Sequence, residues 1–290
     1  MFSSFKLGKF FGIDLYVHAT FWLLPFIVLV SGLMAGSGLD AIAEDLAFLF
    51  AIFGCVVLHE VGHALAAKAY GIGTRDITLY PVGGVASLDH MPEKPGREIA
   101  IALAGPAVNL VIAAALFSGL LLGQVINPLP LTHLSELSTA DAFLVKLLAA
   151  NLVLALFNLL PAFPMDGGRV LRALLAIWMT RLRATELAVA VGSVVAVGLV
   201  LLGLLTPNLA LVAVAIVVFF LGQAELTTVR MQAATREWGR VATEFFRPPD
   251  LDSVIPPVSR GFTGLLWDAD RRVWLQYHDG KVVRVIDSHY

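Results

Sequence analysis

Six apolar runs, each long enough to cross a bilayer, divide this chain at roughly 18–36, 46–68, 99–123, 142–161, 187–206 and 208–229. A hydrocarbon core of about 30 Å takes about 20 apolar residues wound as a helix. Within that core only helices and closed barrels can satisfy their own backbone. The pattern predicts an all-α polytopic membrane protein of about six transmembrane helices, with the lipid bilayer as its first partner. Composition agrees, since 58% hydrophobic and 14% charged residues leave too little polar surface for a water-soluble chain of this length. The net charge of −2 and the lack of a basic run give nucleic acid nothing to bind. Lys6 and Lys9 precede the first run as they would in a signal peptide. No small-residue cleavage site follows them, so a retained first span is expected.

Lysine and arginine placement orients the spans. One set of segments holds Lys6 and Lys9, then Lys68, Arg75, Lys94 and Arg97, then Arg169, Arg172, Arg181 and Arg183, and every basic residue from Arg230 onward. The opposite loops, 37–45 and 124–141, carry Asp40, Glu44, Asp45, Glu136 and Asp141 without a single Lys or Arg. Only Lys146 lies toward the wrong end. Both termini are expected in the cytoplasm, and the second span runs inward.

That second span contains His59-Glu60-Val-Gly-His63. Ionisable groups at membrane depth are costly and mark functional sites. Residues four apart share a helix face, so both imidazoles can grip one metal ion, with Glu60 beside them as general base. They lie roughly 8–14 Å from the inner end of the span at 1.5 Å per residue. The fourth run ends on the same side in Asn158-Leu-Leu-Pro-Ala-Phe-Pro-Met-Asp166-Gly-Gly-Arg169. Pro161 and Pro164 stop a regular helix, and an irregular segment lining a cavity would hold Asp166 at the depth of the histidines. His59, His63 and Asp166 then supply the three protein ligands of a catalytic zinc site, one ion per chain. Asn158 is placed to bond substrate backbone or an oxyanion.

His59-Glu-Val-Gly-His63, Gly105-Pro-Ala-Val-Asn109 and Asn158-to-Asp166-Gly-Gly together resemble the site-2 protease family of intramembrane zinc metalloproteases (peptidase family M50). The likeness covers roughly residues 8–230, including Gly12-Ile-Asp-Leu-Tyr-Val-His18 and Leu79-Tyr-Pro-Val-Gly-Gly-Val85. It is nearest to the compact six-span prokaryotic branch, because no insertion is long enough for a PDZ domain. The resemblance implies a zinc metalloendopeptidase of prokaryotic cell membranes that cuts transmembrane helices of membrane-protein substrates, such as membrane-tethered regulators. Many compact members carry paired CBS modules. The sixty or so residues after the last run are too few for that pair, so no control by adenine nucleotides is expected through them.

Residues 71–90 are too interrupted for a span and read as two extended segments around a turn. The resemblance implies a re-entrant β-hairpin near the zinc. Gly83 and Gly84 would let a substrate strand approach its edge, with plain turn geometry as the alternative. Asn109 is a structural residue or a substrate contact, and Asn151 a structural one. Cys55 reads as small-residue packing, and His18, His90, His133, His278 and His289 as ordinary loop or span-end residues.

The chain is thus read as an intramembrane domain over 1–230, a helix and proline-rich linker over 231–260, and a small β-meander over 261–290. The meander rests on alternating apolar residues around Asp279-Gly280. Two other readings of the core remain. A non-catalytic helix-binding relative is disfavoured by the intact His-Glu-His-Asp set. A metal or proton transporter would need polar residues across the whole bilayer, and the fifth and sixth runs have almost none.

Overall fold

The computed structural model describes residues 4–81, 83–90, 92, 94–123, 138–245, 261–268 and 273–287. The loop residues His133 and Glu136, the C-terminal His289 and the proline-rich linker fall outside the described residues. The chain divides into two compact units, Met1–Met231 and Gln232–Tyr290.

The first unit opens with strands β1 (Ser4–Phe10) and β2 (Ile13–His18), followed by a 3₁₀ turn and helix α1 (Leu23–Met34). Helix α2 (Leu39–Ala69) leads to strands β3 (Thr74–Tyr80) and β4 (Gly83–Leu88). Helices α3 (Pro95–Leu122), α4 (Thr139–Asn158), α5 (Asp166–Leu175), α6 (Arg181–Leu205) and α7 (Leu209–Phe245) complete it, α7 running on into the second unit. Among the described residues five helices, α2, α3, α4, α6 and α7, are long and apolar enough to cross a membrane.

The helix in the first apolar run is shorter than its sequence suggests. The helical part runs from Ala19 to Met34. The twelve residues of α1 rise only about 18 Å. Its start is set by β2, which keeps the chain extended through His18. Its end falls at a turn where Gly36 takes φ +71°, a conformation that glycine adopts without strain.

The helices begin and end where local chemistry allows. Pro95 opens α3, where a missing N–H costs nothing. Ser138 caps α4 by accepting the Asp141 N–H. That helix stops at Asn158, before Pro161 and Pro164. Lys146, the exception to the charge pattern, lies 3.3 Å from Glu44 of α2, so its charge is partnered.

The hairpin read over 71–90 exists as β3 and β4, but it belongs to a larger sheet ordered β1-β2-β3-β4. The β2–β3 pair is parallel, with Asp14 opposite Asp76 and Val17 opposite Leu79, while the other two pairs are antiparallel. One face of the sheet packs on α2. Ile13 and Ile77 meet Val61 and Ala64, and Val17 and Leu79 meet Phe21 and Phe53. Since Val61 and Ala64 alternate with the histidines on one helix, this packing fixes the sheet directly beside residues 59–63. A second core joins Ala162 and Met165 to Ala196 of α6 and to Ala215 and Val218 of α7. Large apolar side chains such as Phe26, Val111, Val153, Val194 and Phe220 point outward and are exposed. Asn109, Asn151 and Arg172 lie inside, the reverse of a soluble globule.

In the second unit, β5 (Gly264–Asp268), β6 (Val273–His278) and β7 (Lys281–Asp287) form the antiparallel meander read from the sequence. Asp279 and Gly280 join β6 to β7 with φ of 50° and 74°, the positive pair of a type I′ turn. Leu275 and Tyr277 form its buried side.

Candidate metal centre

The helical repeat of α2 brings His59 and His63 to one face, ring centroids 4.7 Å apart and planes nearly perpendicular at 81°. Their Nε2 atoms are 3.1 Å apart, and each is 3.1 Å from Asp166 Oδ2. All three side chains are buried. Among the described residues these form the group whose ligand atoms lie close enough, within 4.8 Å of one another, to hold a metal ion.

The donor set suits a cation. His63 donates Nδ1–H to the carbonyl of Ile101 at 2.7 Å, and a carbonyl can only accept. A neutral His63 ring therefore turns a bare Nε2 toward a carboxylate oxygen. His59 is arranged alike, with Nδ1 2.5 Å from Asn109 Oδ1. Three acceptor atoms converge with no proton to share among them, which favours a cation in their midst. Their 3.1 Å separations compare with about 3.3 Å along the edge of a tetrahedron around zinc with bonds of about 2.05 Å. Two imidazoles and a carboxylate are ligands that zinc accepts, so the residues fit the metal.

Asp166 reaches the histidines because the chain folds back sharply after α4. It occupies the first position of α5, where a carboxylate also suits the positive helix end. Gly167 and Gly168 permit this fold. A Cβ on Gly168 would sit 2.7 Å from backbone atoms of Ala162 and Phe163, and one on Gly167 would meet the carbonyls of Leu159 and Leu160. Arg172, one and a half turns further along α5, anchors the helix. Its guanidinium is 1% exposed and donates Nε–H and Nη2–H to Glu98 of α3 at 2.9 and 2.5 Å. Its Nη1–H goes to Glu225 of α7 at 2.5 Å. In the sequence Arg172 is one more basic residue of the topology pattern, and nothing in its neighbours shows that it is buried.

Glu60 lies beside the ligands, with its carboxylate directed to the sheet. Its Oε2 accepts the N–H of Ala86 at 3.2 Å. Among the described residues strand β4 pairs only with β3, so this N–H is on its outer edge, and by the two-residue period Gly84 faces the same way. A Cβ on Gly84 would lie 2.7 Å from Glu60 Cγ. Gly83 differs: its Cβ would meet nothing, but its φ of +140° favours glycine. One glycine serves the turn, and its neighbour serves the close approach to Glu60.

Asn109 stands behind His59 as its hydrogen-bond partner and is fully buried. Asn158 donates to the carbonyl of Leu154 in its own helix at 3.0 Å and makes no hydrogen bond to the three ligands. Gly105, quoted above only as part of a motif, proves structural. A Cβ there would lie 2.6 Å from His59 Nε2 and would also strike His63 Nε2, so only glycine lets α3 cross over the two rings.

The comparisons with known proteins agree with this geometry. The profile of Peptidase family M50 matches residues 47–130 and 123–202. A zinc metalloprotease of Methanocaldococcus jannaschii is 36% identical over 233 residues, covering 79% of this chain and 62% of that protein. Stage IV sporulation protein FB of Bacillus subtilis is 26% identical over 160 residues, 55% of this chain and 46% of that one. This chain thus spans less than two thirds of the length of these relatives. Among solved structures, a site-2 protease from Methanocaldococcus jannaschii superposes with a TM-score of 0.57 at 35% identity, covering 77% of this chain and 95% of that one. The chain belongs to peptidase family M50, the site-2 protease family, and is an integral membrane protein.

Proposed function

We propose that this protein is a zinc-dependent endopeptidase that hydrolyses peptide bonds in or near the transmembrane helices of other membrane proteins, among them membrane-tethered regulators. The observation that carries the reading is the buried His59–His63–Asp166 group with Glu60 held between it and a free strand edge. His59, His63 and Asp166 would hold one zinc ion. Zinc bound there would supply Lewis acidity, polarising the scissile carbonyl and lowering the pKa of water toward neutrality.

The chain's own residues then divide the remaining work. Glu60 accepts a proton from the attacking water and passes it to the leaving amide nitrogen. The outer edge of β4, at Gly84 and Ala86, takes an unwound stretch of substrate by strand addition. A helix must lose its internal hydrogen bonds before it can be cut, and a strand edge beside Glu60 offers replacements. Asn158 contacts the substrate backbone from the end of α4. The lysine and arginine pattern favours cytoplasmic termini and a site nearer the cytoplasmic face.

Glu60→Gln tests the reading. It should leave zinc content at one ion per chain and abolish turnover. Comparison of membrane-protein fragments from cells with wild-type or Glu60→Gln enzyme should show products ending within apolar segments in the wild type alone. Identical fragment sets would refute the proposal.

A further inference from the structure

Behind His59 lies a chain of hydrogen bonds that ends on a backbone carbonyl, and its direction can be read from that end. Asn151 of α4 and Asn109 of α3 are both fully buried. Asn151 places one amide group 2.9 Å from the carbonyl of Leu147 and 3.3 Å from Cys55 Sγ. The carbonyl only accepts, so the group facing it must be the Nδ2 donor. Asn151 therefore turns Oδ1 toward Asn109, which must answer with its own Nδ2–H, at 2.9 Å. That leaves Asn109 Oδ1 facing His59 Nδ1 at 2.5 Å. An acceptor there requires a proton on Nδ1, and a neutral ring then keeps its lone pair on Nε2, facing Asp166.

We propose that Asn151 is a positioning residue for zinc: acting through Asn109, it fixes the tautomer of His59 that presents a bare Nε2 to the metal. Without Asn151, Asn109 is free to turn its amide over and offer N–H to His59. The proton would then move to Nε2 and block the ligand atom. His63 needs no such relay, because the Ile101 carbonyl fixes its ring directly. The two histidines thus differ in how they are held, and one serves as a control for the other. Partners that orient a metal-bound histidine are worth about 10–100-fold in metal affinity.

The inference rests on the metal reading of His59, His63 and Asp166 and not on peptidase activity. It is tested in the full-length protein in detergent, ¹⁵N-labelled at histidine and stripped of metal. Long-range ¹H–¹⁵N spectra report the tautomer of each ring, and competition with a chelator reports zinc affinity. Wild type should show the Nδ1–H form at both rings. Asn151→Leu should mix the tautomers at His59 alone and weaken zinc by about 10–100-fold. Asn151→Asp, neutral at this fully buried position, donates its carboxyl O–H to the Leu147 carbonyl and keeps an acceptor toward Asn109, so it should retain the Nδ1–H form at His59 and bind zinc close to wild type. If Asn151→Leu does not accumulate, Asn109→Leu applies the test from the other amide, with the same loss expected at His59 alone. Asn151→Leu with a single Nδ1–H form and wild-type affinity would overturn the proposal. So would equal disturbance of His59 and His63, which would mark Asn151 as general packing. A wild type with the expected tautomers that takes up no zinc would leave the relay standing and remove the metal reading.

Discussion

His59 and His63 ride on one uninterrupted helix, α2, whereas Asp166 arrives at the first position of α5 after the non-helical stretch 159–165. The histidine side is held by regular geometry and neutral hydrogen bonds, to Ile101 and Asn109. The aspartate side is held by two glycines folded against backbone and by a buried ion network on Arg172. A helix sets two side chains at fixed spacing without further support. A side chain on a broken segment needs an anchor elsewhere, and that anchor here carries charge.

The largest effect should come from breaking that anchor. Removing one partner of a buried ion pair leaves the other uncompensated and costs about 3–5 kcal/mol. Arg181 still lies 3.7 Å from Glu98 Oε2, so Arg172→Met should fall near the lower end, about 3 kcal/mol. Thermal unfolding in detergent should show a clearly lower midpoint, and adding Glu98→Gln should restore part of it. A variant that melts like wild type would show that α5 is held by packing alone and that the two sides of the centre do not differ as described.

A smaller effect on folding is expected on the histidine side. Gly105→Ala gains helix propensity of about 1 kcal/mol but forces a methyl group into both rings, an overpacking cost of about 1–3 kcal/mol. The net change in stability should be about 2 kcal/mol at most, while zinc content, measured by elemental analysis of the folded protein, should fall sharply. Full zinc occupancy in Gly105→Ala would mean that α3 can retreat from the rings, and that the regular side is the less rigid of the two.

The same contrast explains what the sequence made legible. The His59–His63 spacing inside an apolar run is a local, periodic signal, and so are Pro161, Pro164 and the glycine pair that end α4 and turn the chain toward Asp166. Residues that work through distant partners leave no such trace. Arg172 counts in the sequence as one more basic residue near a membrane edge, although it is buried between α3 and α7. Asn151 is one polar residue in an apolar helix, and only the fold shows that it meets Asn109. Strands β1 and β2 escaped notice for a related reason. Their turn is Phe11-Gly12, with φ of 49° and 87°, and a phenylalanine gives no turn signal. The parallel pairing of β2 with β3 joins residues as distant as Asp14 and Asp76. Length misled too, because the first apolar run continues beyond the helix it forms.

The smallest structural effect, and the most specific functional one, should come from Gly84. It faces Glu60 from an edge strand, where substitutions cost up to about 1 kcal/mol. Gly84→Val adds a branched side chain where even a Cβ would lie 2.7 Å from Glu60 Cγ. Rotation of the Glu60 side chain about its first torsion can relieve the contact, so the fold and the His59–His63–Asp166 group should survive, with zinc content and melting temperature near wild type. Glu60 would be turned away from its seat against the outer edge of β4, and cleavage should be lost. Gly83→Ala provides the contrast: it strains a backbone at φ +140° but adds no contact, so it should lower stability slightly and leave cleavage measurable. If Gly84→Val cleaves as fast as wild type, cleavage does not depend on Glu60 being seated against β4. The close approach of Gly84 to Glu60 would then serve only to seat the sheet against α2.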